Sequence, residues 1–237
     1  MRYCLVCGDE LSVSVGWFSF FLHAKPAVVC SECNRKFEMI CGELCECCGR
    51  PLSALTEDYK RNQLCLDCVR WQEDTQFQDI LSYNRSVYMY NDWMKAVLAH
   101  FKFRGDAALV ELFAESFRSA FSDSFSSSVV VVPMPLSNER LYERCFNQAE
   151  LLANLLPISS HNDILTRTHS EKQSKKTRNE RMKAQIPFSL VSSKKIVGQE
   201  VVLIDDIYTT GVTVRQAAYI LRQGGAKSVS ALTLCRG

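Results

Sequence analysis

The sequence predicts an α/β protein with a parallel sheet flanked by helices and a small cysteine-rich module at the N-terminal end. Beyond residue 80, short apolar strands alternate with amphipathic helical segments, the pattern of a parallel sheet covered on both faces. Ten of the twelve cysteines lie within residues 4–68, and 237 residues suffice for one large domain or two small ones. We therefore divide the chain into a module at 1–75 and an α/β domain at 76–237.

The composition is that of an ordinary globular protein. Hydrophobic residues make up 47% and charged residues 23%, with a net charge of +2, so no overall field attracts nucleic acid. The N-terminal residues lack the apolar core of a secretory signal. The apolar stretch Trp17–Leu22 is too short to span a bilayer, which needs about 20 residues. We expect no transmembrane segment and a cytoplasmic location, where thiols stay reduced and favour metal over disulfides.

The N-terminal cysteines form four Cys-x-x-Cys units, and each unit supplies two thiolates from one tight turn. Glycine follows the first and third units, at Gly8 and Gly49, where such a turn needs a left-handed residue. Pairing the units in sequence order predicts two structural zinc-ribbon sites without an open coordination position. The predicted ligands are Cys4, Cys7, Cys30 and Cys33 in one site and Cys45, Cys48, Cys65 and Cys68 in the other.

Several alternatives stay open for this module. The four units could be cross-braced instead of paired in order, and Cys41 or Cys47 could replace a ligand in the crowded third unit. A disulfide framework or an iron–sulfur cluster would use the same residue type. We expect one or two zinc ions.

Each element beyond the module has its own signal. Strands are predicted by short apolar or Tyr- and Val-rich runs at Ser82–Tyr90, Val129–Val132, Val201–Ile204 and Ser228–Leu234. Helices are predicted by apolar residues at helical spacing in Asn91–Phe101, Asp106–Ala120, Asn147–Leu156 and Thr213–Arg222. Polar stretches predict connectors at Trp71–Asp79 and Ser122–Ser128 and a basic turn at Lys102–Asp106.

The most informative segment is VVLIDDIYTTGVT, at Val201–Thr213. Its apolar strand delivers Asp205 and Asp206 to a carboxyl end, where open α/β sheets bind their ligands. The backbone N–H groups that follow open a helix and form an anion site, and Gly211 permits a geometry that a Cβ would block. Adjacent carboxylates can accept from sugar hydroxyls, so together with the anion site they suit a phosphorylated sugar as the ligand. The alternative is an ordinary strand–turn–helix with a solvated acidic turn.

This segment resembles the phosphoribosyl-pyrophosphate (PRPP) signature of type I phosphoribosyltransferases. The resemblance implies that Asp205 and Asp206 hold the ribose hydroxyls and that Mg²⁺ accompanies PRPP. It also implies a loop that binds the 5′-phosphate, made of Tyr208, Thr209, Thr210, Gly211, Val212 and Thr213.

A second phosphate site is predicted where the strand Val129–Val132 ends. Arg140 and Arg144 follow it, four residues apart on one helical face, and guanidinium groups match the oxygens of pyrophosphate. If this strand neighbours Val201–Ile204, both phosphate sites open at one sheet edge. The pyrophosphate loop would then comprise Pro135, Leu136, Arg140 and Arg144. The alternative is a solvated helix face, balanced by Glu139 and Glu143.

The segment Arg167–Lys183 holds seven basic and two acidic residues and shows no apolar period. One interpretation is a solvated loop. The other is a flexible lid over a polyanion, either PRPP or a nucleic-acid strand. The candidate residues of the lid are Arg167, Lys172, Lys175, Lys176, Arg178 and Arg181.

Together these features resemble the ComF family, in which a cysteine-rich zinc module is fused to a phosphoribosyltransferase-like domain. Beyond the signature, the matching pieces are the knuckles at Cys4 and Cys45, KFRGD at Lys102–Asp106, VPMPL, RLYERCFNQAELLA at Arg140–Ala153, LTRTHSEKQSKKTRNERMKAQIPF at Leu165–Phe188 and Arg236. In one departure, Cys145 stands where the family has glycine. Its thiol is either reactive beside a basic site or inert and packed.

The resemblance implies a role in competence, which is the handling of incoming single-stranded DNA with proteins of the uptake machinery, or in the use of external DNA. Three hypotheses follow: a DNA-uptake factor that binds PRPP, an active phosphoribosyltransferase, and a regulator that senses PRPP. No segment identifies an acceptor, so enzymatic activity stays open. The aromatic residues Trp17, Phe18, Phe20 and Phe21 either stack on bases or form a small core.

Overall fold

The computed structural model describes residues 2–11, 27–103, 106–167 and 186–237. The aromatic residues at 17–21 and residues 168–183 of the basic segment therefore lie outside the described residues. The N-terminal part contains helix α1 (Ser31–Arg35), an antiparallel pair of short strands, β1 (Lys60–Arg61) and β2 (Leu64–Cys65), and helix α2 (Leu66–Gln72). Short 3-10 helices lie at Leu52–Ala54 and Glu57–Tyr59.

A four-stranded sheet of parallel strands organises the rest of the described chain. The strands are β3 (Asn84–Met89), β4 (Val130–Pro133), β7 (Glu200–Tyr208) and β8 (Ser228–Arg236), in the order β3-β8-β7-β4. Strands β5 (Leu165–Arg167) and β6 (Phe188–Leu190) form a separate antiparallel pair. The predicted parallel α/β fold is therefore confirmed, and β4 lies beside β7, so both predicted ligand loops leave the same sheet edge.

Helices follow the strands. They are α3 (Asp92–Phe103), α4 (Ala114–Ser124), α5 (Asn138–Arg144), α6 (Gln148–Asn154) and α7 (Val212–Gln223), and a 3-10 helix at Ala107–Phe113 leads into α4. Those predicted at Asn91–Phe101, Asn147–Leu156 and Thr213–Arg222 are confirmed to within a few residues, whereas the helix predicted at Asp106–Ala120 begins as a 3-10 helix and becomes α-helical only at Ala114. None of the described helices is long and apolar enough to cross a membrane.

The sheet is buried on both faces, as strand β7 illustrates. Val201 and Leu203 pack on the face covered by α7, whereas Val202 and Ile204 pack on the face covered by α3, α4 and α6. All four side chains are at most 1% exposed. Burial on both faces explains why the strand is apolar throughout instead of alternating.

The cysteine-rich part supplies a piece of this core. Cys45, Cys48, Cys65 and Cys68 belong to the same buried cluster as α7 and the sheet. The predicted connector at Trp71–Asp79 is wrong at its start, because α2 continues to Gln72 and Trp71 is only 3% exposed. Its ring contacts that of Phe77, with centroids 5.8 Å apart. The prediction failed at Trp71 because the segment around it is mostly polar, although Trp71 itself is buried.

Other boundaries also differ from the predictions. Lys102 lies in the last turn of α3 and not in a basic turn, and the predicted connector at Ser122–Ser128 begins inside α4, which ends at Ser124. Strand β7 continues past the aspartates to Tyr208 because β8 pairs with it along its length, from Glu200 to Tyr208. The aspartates therefore lie within the strand, near its carboxyl end.

Candidate functional site

A cavity of about 470 Å³ opens at the carboxyl ends of β4 and β7. The structure brings together there the acidic pair, both predicted phosphate loops and the first residue of the basic segment. The predicted residues that line the cavity are Pro135, Leu136, Arg140, Arg144, Arg167, Asp205, Asp206, Thr209 and Thr213.

Lys102 lines the same cavity and forms an ion pair with Asp206. The two side chains are 16% and 15% exposed, so the pair is largely shielded from water. Sequence reasoning missed this residue because it was assigned to a turn. A signal was available: Lys102 continues the row of Met94 and Leu98 at a spacing of four, and a lysine on a buried helix face needs a partner.

The two aspartates have opposite pKa shifts. Burial, followed by the neighbouring charge of Asp206, raises the pKa of Asp205 to about 7. Burial also acts to raise the pKa of Asp206, but Lys102 and Arg144 outweigh it and hold that pKa below its ordinary value. The backbone N–H of Asp206 donates to Oδ1 of Asp205 at 2.9 Å. One carboxylate is therefore firmly ionised, and the other titrates near neutral pH.

Three guanidinium groups line the cavity together with this acidic pair. They belong to Arg140, Arg144 and Arg167. Ser137 caps α5, its side chain accepting from the backbone N–H of Arg140, and Arg144 donates to Oε1 of Gln148 at 2.9 Å. Burial lowers the pKa of the Arg144 and Arg167 guanidinium groups, yet arginine stays charged at any physiological pH. Converging charges of one sign in a partly buried cavity favour a polyanionic ligand.

Four residues of the predicted 5′-phosphate loop do not line the cavity: Tyr208, Thr210, Gly211 and Val212. Tyr208 is 2% exposed, and its hydroxyl accepts from Nη1 of Arg215 at 2.6 Å, away from the cavity. Burial raises the pKa of this hydroxyl, so it stays protonated. These residues form the inner side of the loop.

The predicted helix N-terminus and its glycine are in place. Helix α7 begins at Val212, and Gly211 precedes it with φ +78°. A Cβ at Gly211 would collide with the Tyr208 hydroxyl and the Arg215 guanidinium. Glycine is thus required here by both backbone conformation and space.

Cys145 caps the C-terminus of α5 in the left-handed conformation, with φ 65° and ψ −14°. Glycine adopts this conformation without steric cost, which fits the glycine that the family resemblance implies at this position. The side chain is exposed, so the interpretation as a packed cysteine is wrong. Cys145 is not among the residues that line the cavity.

The cysteine units pair in sequence order. Within each of the two predicted sets, the four sulfur atoms lie within 4.8 Å of one another, as tetrahedral zinc with Zn–S bonds of about 2.3 Å requires. Backbone N–H groups support the thiolates: that of Cys30 points at Sγ of Cys4 at 3.4 Å, and that of Cys65 at Sγ of Cys45 at 3.3 Å. Both sets fit zinc, which would cross-link each pair of knuckles. Cys41 and Cys47 belong to neither set.

Comparison with known proteins agrees with this architecture. The sequence profile described as "Phosphoribosyl transferase domain" matches residues 142–237. "Competence protein ComFC" of Bacillus subtilis (strain 168) is 42% identical over 235 residues, which cover 98% of this chain and 94% of that protein. The chain belongs to the ComF family. "Competence protein ComFC" of Streptococcus pneumoniae (strain ATCC BAA-255 / R6) is 31% identical, covering 98% and 99% of the two chains.

Two further similarities of this ComF-family chain are partial. "DNA utilization protein YhgH" of Escherichia coli (strain K12) is 32% identical over 114 residues, which cover 45% of this chain and 48% of that protein. A hypoxanthine phosphoribosyltransferase from Staphylococcus aureus aligns with 54% of this chain and 62% of its own, at 13% identity and a TM-score of 0.35.

Proposed function

We propose that this ComF-family chain binds PRPP, together with Mg²⁺, in the cavity between β4 and β7. The observation that carries the proposal is the meeting of an acidic pair, Asp205 and Asp206, with three arginines in one cavity of about 470 Å³. A ligand that satisfies both sets must offer hydroxyl donors beside more than one anionic group. A sugar with a phosphate and a pyrophosphate meets that description.

Each part of PRPP has a matching set of residues in this proposal. The 5′-phosphate binds the backbone N–H groups of Thr209–Thr213 at the N-terminus of α7. The ribose hydroxyls donate to Asp205 and Asp206. The pyrophosphate binds Arg140 and Arg144, beside Pro135 and Leu136, and Arg167 covers it from β5. Mg²⁺ prefers oxygen ligands and, when bound, would neutralise pyrophosphate charge beside the two carboxylates.

Calorimetric titration of PRPP with Mg²⁺ into the zinc-loaded protein tests the proposal. We expect saturable binding that is lost in Asp205→Asn/Asp206→Asn, since the amides remove the acceptor charge for the hydroxyls and the metal. Asp163→Asn is the matched control, because that carboxylate is exposed and pairs with Lys195 outside the cavity. Absence of binding to the wild type, or equal binding by all three proteins, would sink the proposal.

We further propose a role in competence, in which the protein handles single-stranded DNA with proteins of the uptake machinery. Full-length relatives named as competence proteins support this role, and eight paired thiols suit a reducing cytosol. The basic residues Lys172, Lys175, Lys176, Arg178 and Arg181 would contact the DNA backbone. Replacing them with glutamine should weaken oligonucleotide binding and flatten its salt dependence, measured by fluorescence anisotropy at low salt. An unchanged salt slope would contradict DNA contact by this segment.

Turnover separates the two alternative functions. Release of pyrophosphate from PRPP that an added base or amine accelerates would identify an active transferase. Tight binding without turnover, together with a PRPP-dependent protein contact, would identify a sensor.

A further inference from the structure

The predicted 5′-phosphate loop has an inner side that faces the second cysteine set. The backbone carbonyl of Thr210 accepts a hydrogen bond from Nε1 of Trp71 at 3.1 Å, across 139 positions of the chain. Trp71 belongs to α2, which begins directly after Cys65 and contains Cys68. Helix α2, which is anchored by the predicted zinc ligands Cys65 and Cys68, therefore holds the loop from its inner side.

Arg215 joins the same contact from the first turn of α7. It is 2% exposed; its Nη1 donates to the Tyr208 hydroxyl at 2.6 Å, and its Nη2 approaches Sγ of Cys47 at 3.3 Å. Its guanidinium lies over the Trp71 ring, 4.4 Å from the centroid, within cation–π range. The group does not line the ligand cavity, so it acts on the loop and not on a ligand.

The conformation of the loop depends on these two side chains. The Tyr208–Arg215 pair packs so closely against Gly211 that no space is left for a Cβ. The carbonyl of Gly211 accepts a hydrogen bond from the backbone N–H of Arg215 at 3.0 Å. Backbone N–H groups bind an anion strongly only when they already converge, because ordering a residue costs about 1–2 kcal/mol. A loop that contacts on its inner side already hold in place is ordered before the ligand binds. Binding then does not include the entropic cost of ordering it.

We propose that Trp71 and Arg215 are positioning residues that hold the Thr209–Thr213 loop in its phosphate-binding conformation, and so connect the second cysteine set to the ligand site. The inference rests on the proposed function. It requires that disturbing the contact affects the 5′-phosphate alone. The pyrophosphate residues, on α5 and after β4, belong to other elements.

The test is Trp71→Phe, which keeps an aromatic ring beside Arg215 and Phe77 and removes the Nε1 donor. Ribose 5-phosphate and inorganic pyrophosphate, each with Mg²⁺, are titrated calorimetrically into the full zinc-loaded chain. We expect the Kd of ribose 5-phosphate to rise about fivefold, the worth of one buried hydrogen bond, and the Kd of pyrophosphate to stay unchanged. Trp93→Phe is the matched control, because the Nε1 of Trp93 has no hydrogen-bond partner among the described residues.

The outcomes are distinct. Equal weakening of both ligands would assign Trp71 a general structural role and overturn the inference, and so would unchanged binding of both. If the wild type binds neither ligand, the proposed function fails and the inference fails with it. If Trp71→Phe does not fold, Arg215→Lys replaces it, since lysine keeps the charge but loses the guanidinium fork. The same split between the two ligands is then expected.

Discussion

Two adjacent aspartates near the end of β7 differ in charge because their neighbours differ. Asp206 interacts with Lys102 and Arg144, whereas Asp205, which is half-buried, is affected most by desolvation and then by the charge of Asp206. An ionised carboxylate accepts from two hydroxyls, but a protonated one uses an oxygen as a donor. The protonation state of Asp205 therefore controls how well the site accepts from a ribose.

The affinity for ribose 5-phosphate should depend on pH through Asp205. Because its pKa is raised to about 7, the acceptor form is scarce below that pH and prevails above it. Affinity should therefore rise as pH increases through about 7. Calorimetry across this range, with Asp205→Asn as the comparison, checks the prediction. The ligand phosphate also titrates, near pH 6, and the variant reports that contribution alone. Identical pH profiles would rule Asp205 out as the titrating group.

At the scale of single elements, the helix α5 shows both what sequence predicts and what it conceals. Its two cavity arginines, Arg140 and Arg144, share one helical face as their spacing predicts, because helical spacing is a local property. The start of the helix and its cap at Ser137 are known only from the structure. Its end is set by a left-handed residue, Cys145. The resemblance to the ComF family implies glycine there, and the backbone shows that Cys145 adopts the left-handed conformation that glycine favours.

Replacing Cys145 with glycine should stabilise the protein. A non-glycine residue in the left-handed region costs about 1–2 kcal/mol, and glycine gives part of that back through its greater freedom when unfolded. We expect the free energy of unfolding to rise by up to about 1 kcal/mol in Cys145→Gly. Cys145→Ala, which keeps the strain, should change it little. Denaturant unfolding of the three proteins measures this, and a destabilised glycine variant would contradict it.

The fold followed from short-range patterns, but the contacts of the site did not. Val201–Ile204 and Val129–Val132 predicted buried parallel strands because burial on both faces demands apolar residues. Local sequence places Lys102 in a turn and Trp71 in a connector, whereas the roles of both depend on partners more than 100 positions away. Tyr208 was assigned to the phosphate loop by resemblance, and its side chain turns inward because Arg215 is its hydrogen-bond partner.

At the scale of the whole molecule, the two cysteine sets have different environments. In the first set Cys7 is exposed and Cys30 is intermediate, whereas all four thiols of the second set are buried. The second set lies in the core beneath α7, and Asn84, itself fully buried, donates to the carbonyl of Cys48 at 3.2 Å. The first set belongs to neither of the two large core clusters.

Zinc should therefore leave the protein in two phases. We expect two ions per chain, one removed quickly by a coloured chelator from the first set and one slowly from the second, because access to buried thiolates requires local unfolding. Absorbance of the metal–chelator complex follows both phases. Cys7→Ser should abolish the fast phase and leave the slow one. A single phase that releases two ions would contradict the difference between the sets.

The burial of the second cysteine set in the core of the sheet domain also constrains how such genes can recombine. Arg236, the penultimate residue, points its Nη2 at Sγ of Cys48 at 3.8 Å, and Arg215 reaches Cys47. A chimera that joins residues 1–75 of one relative to the remainder of another would take the cysteines of these contacts from one protein and the arginines from the other. The two sides of each contact would then come from sequences that evolved apart. We therefore expect a chimera to fold stably only when Asn84, Arg215 and Arg236 come from the same relative as the cysteine-rich segment.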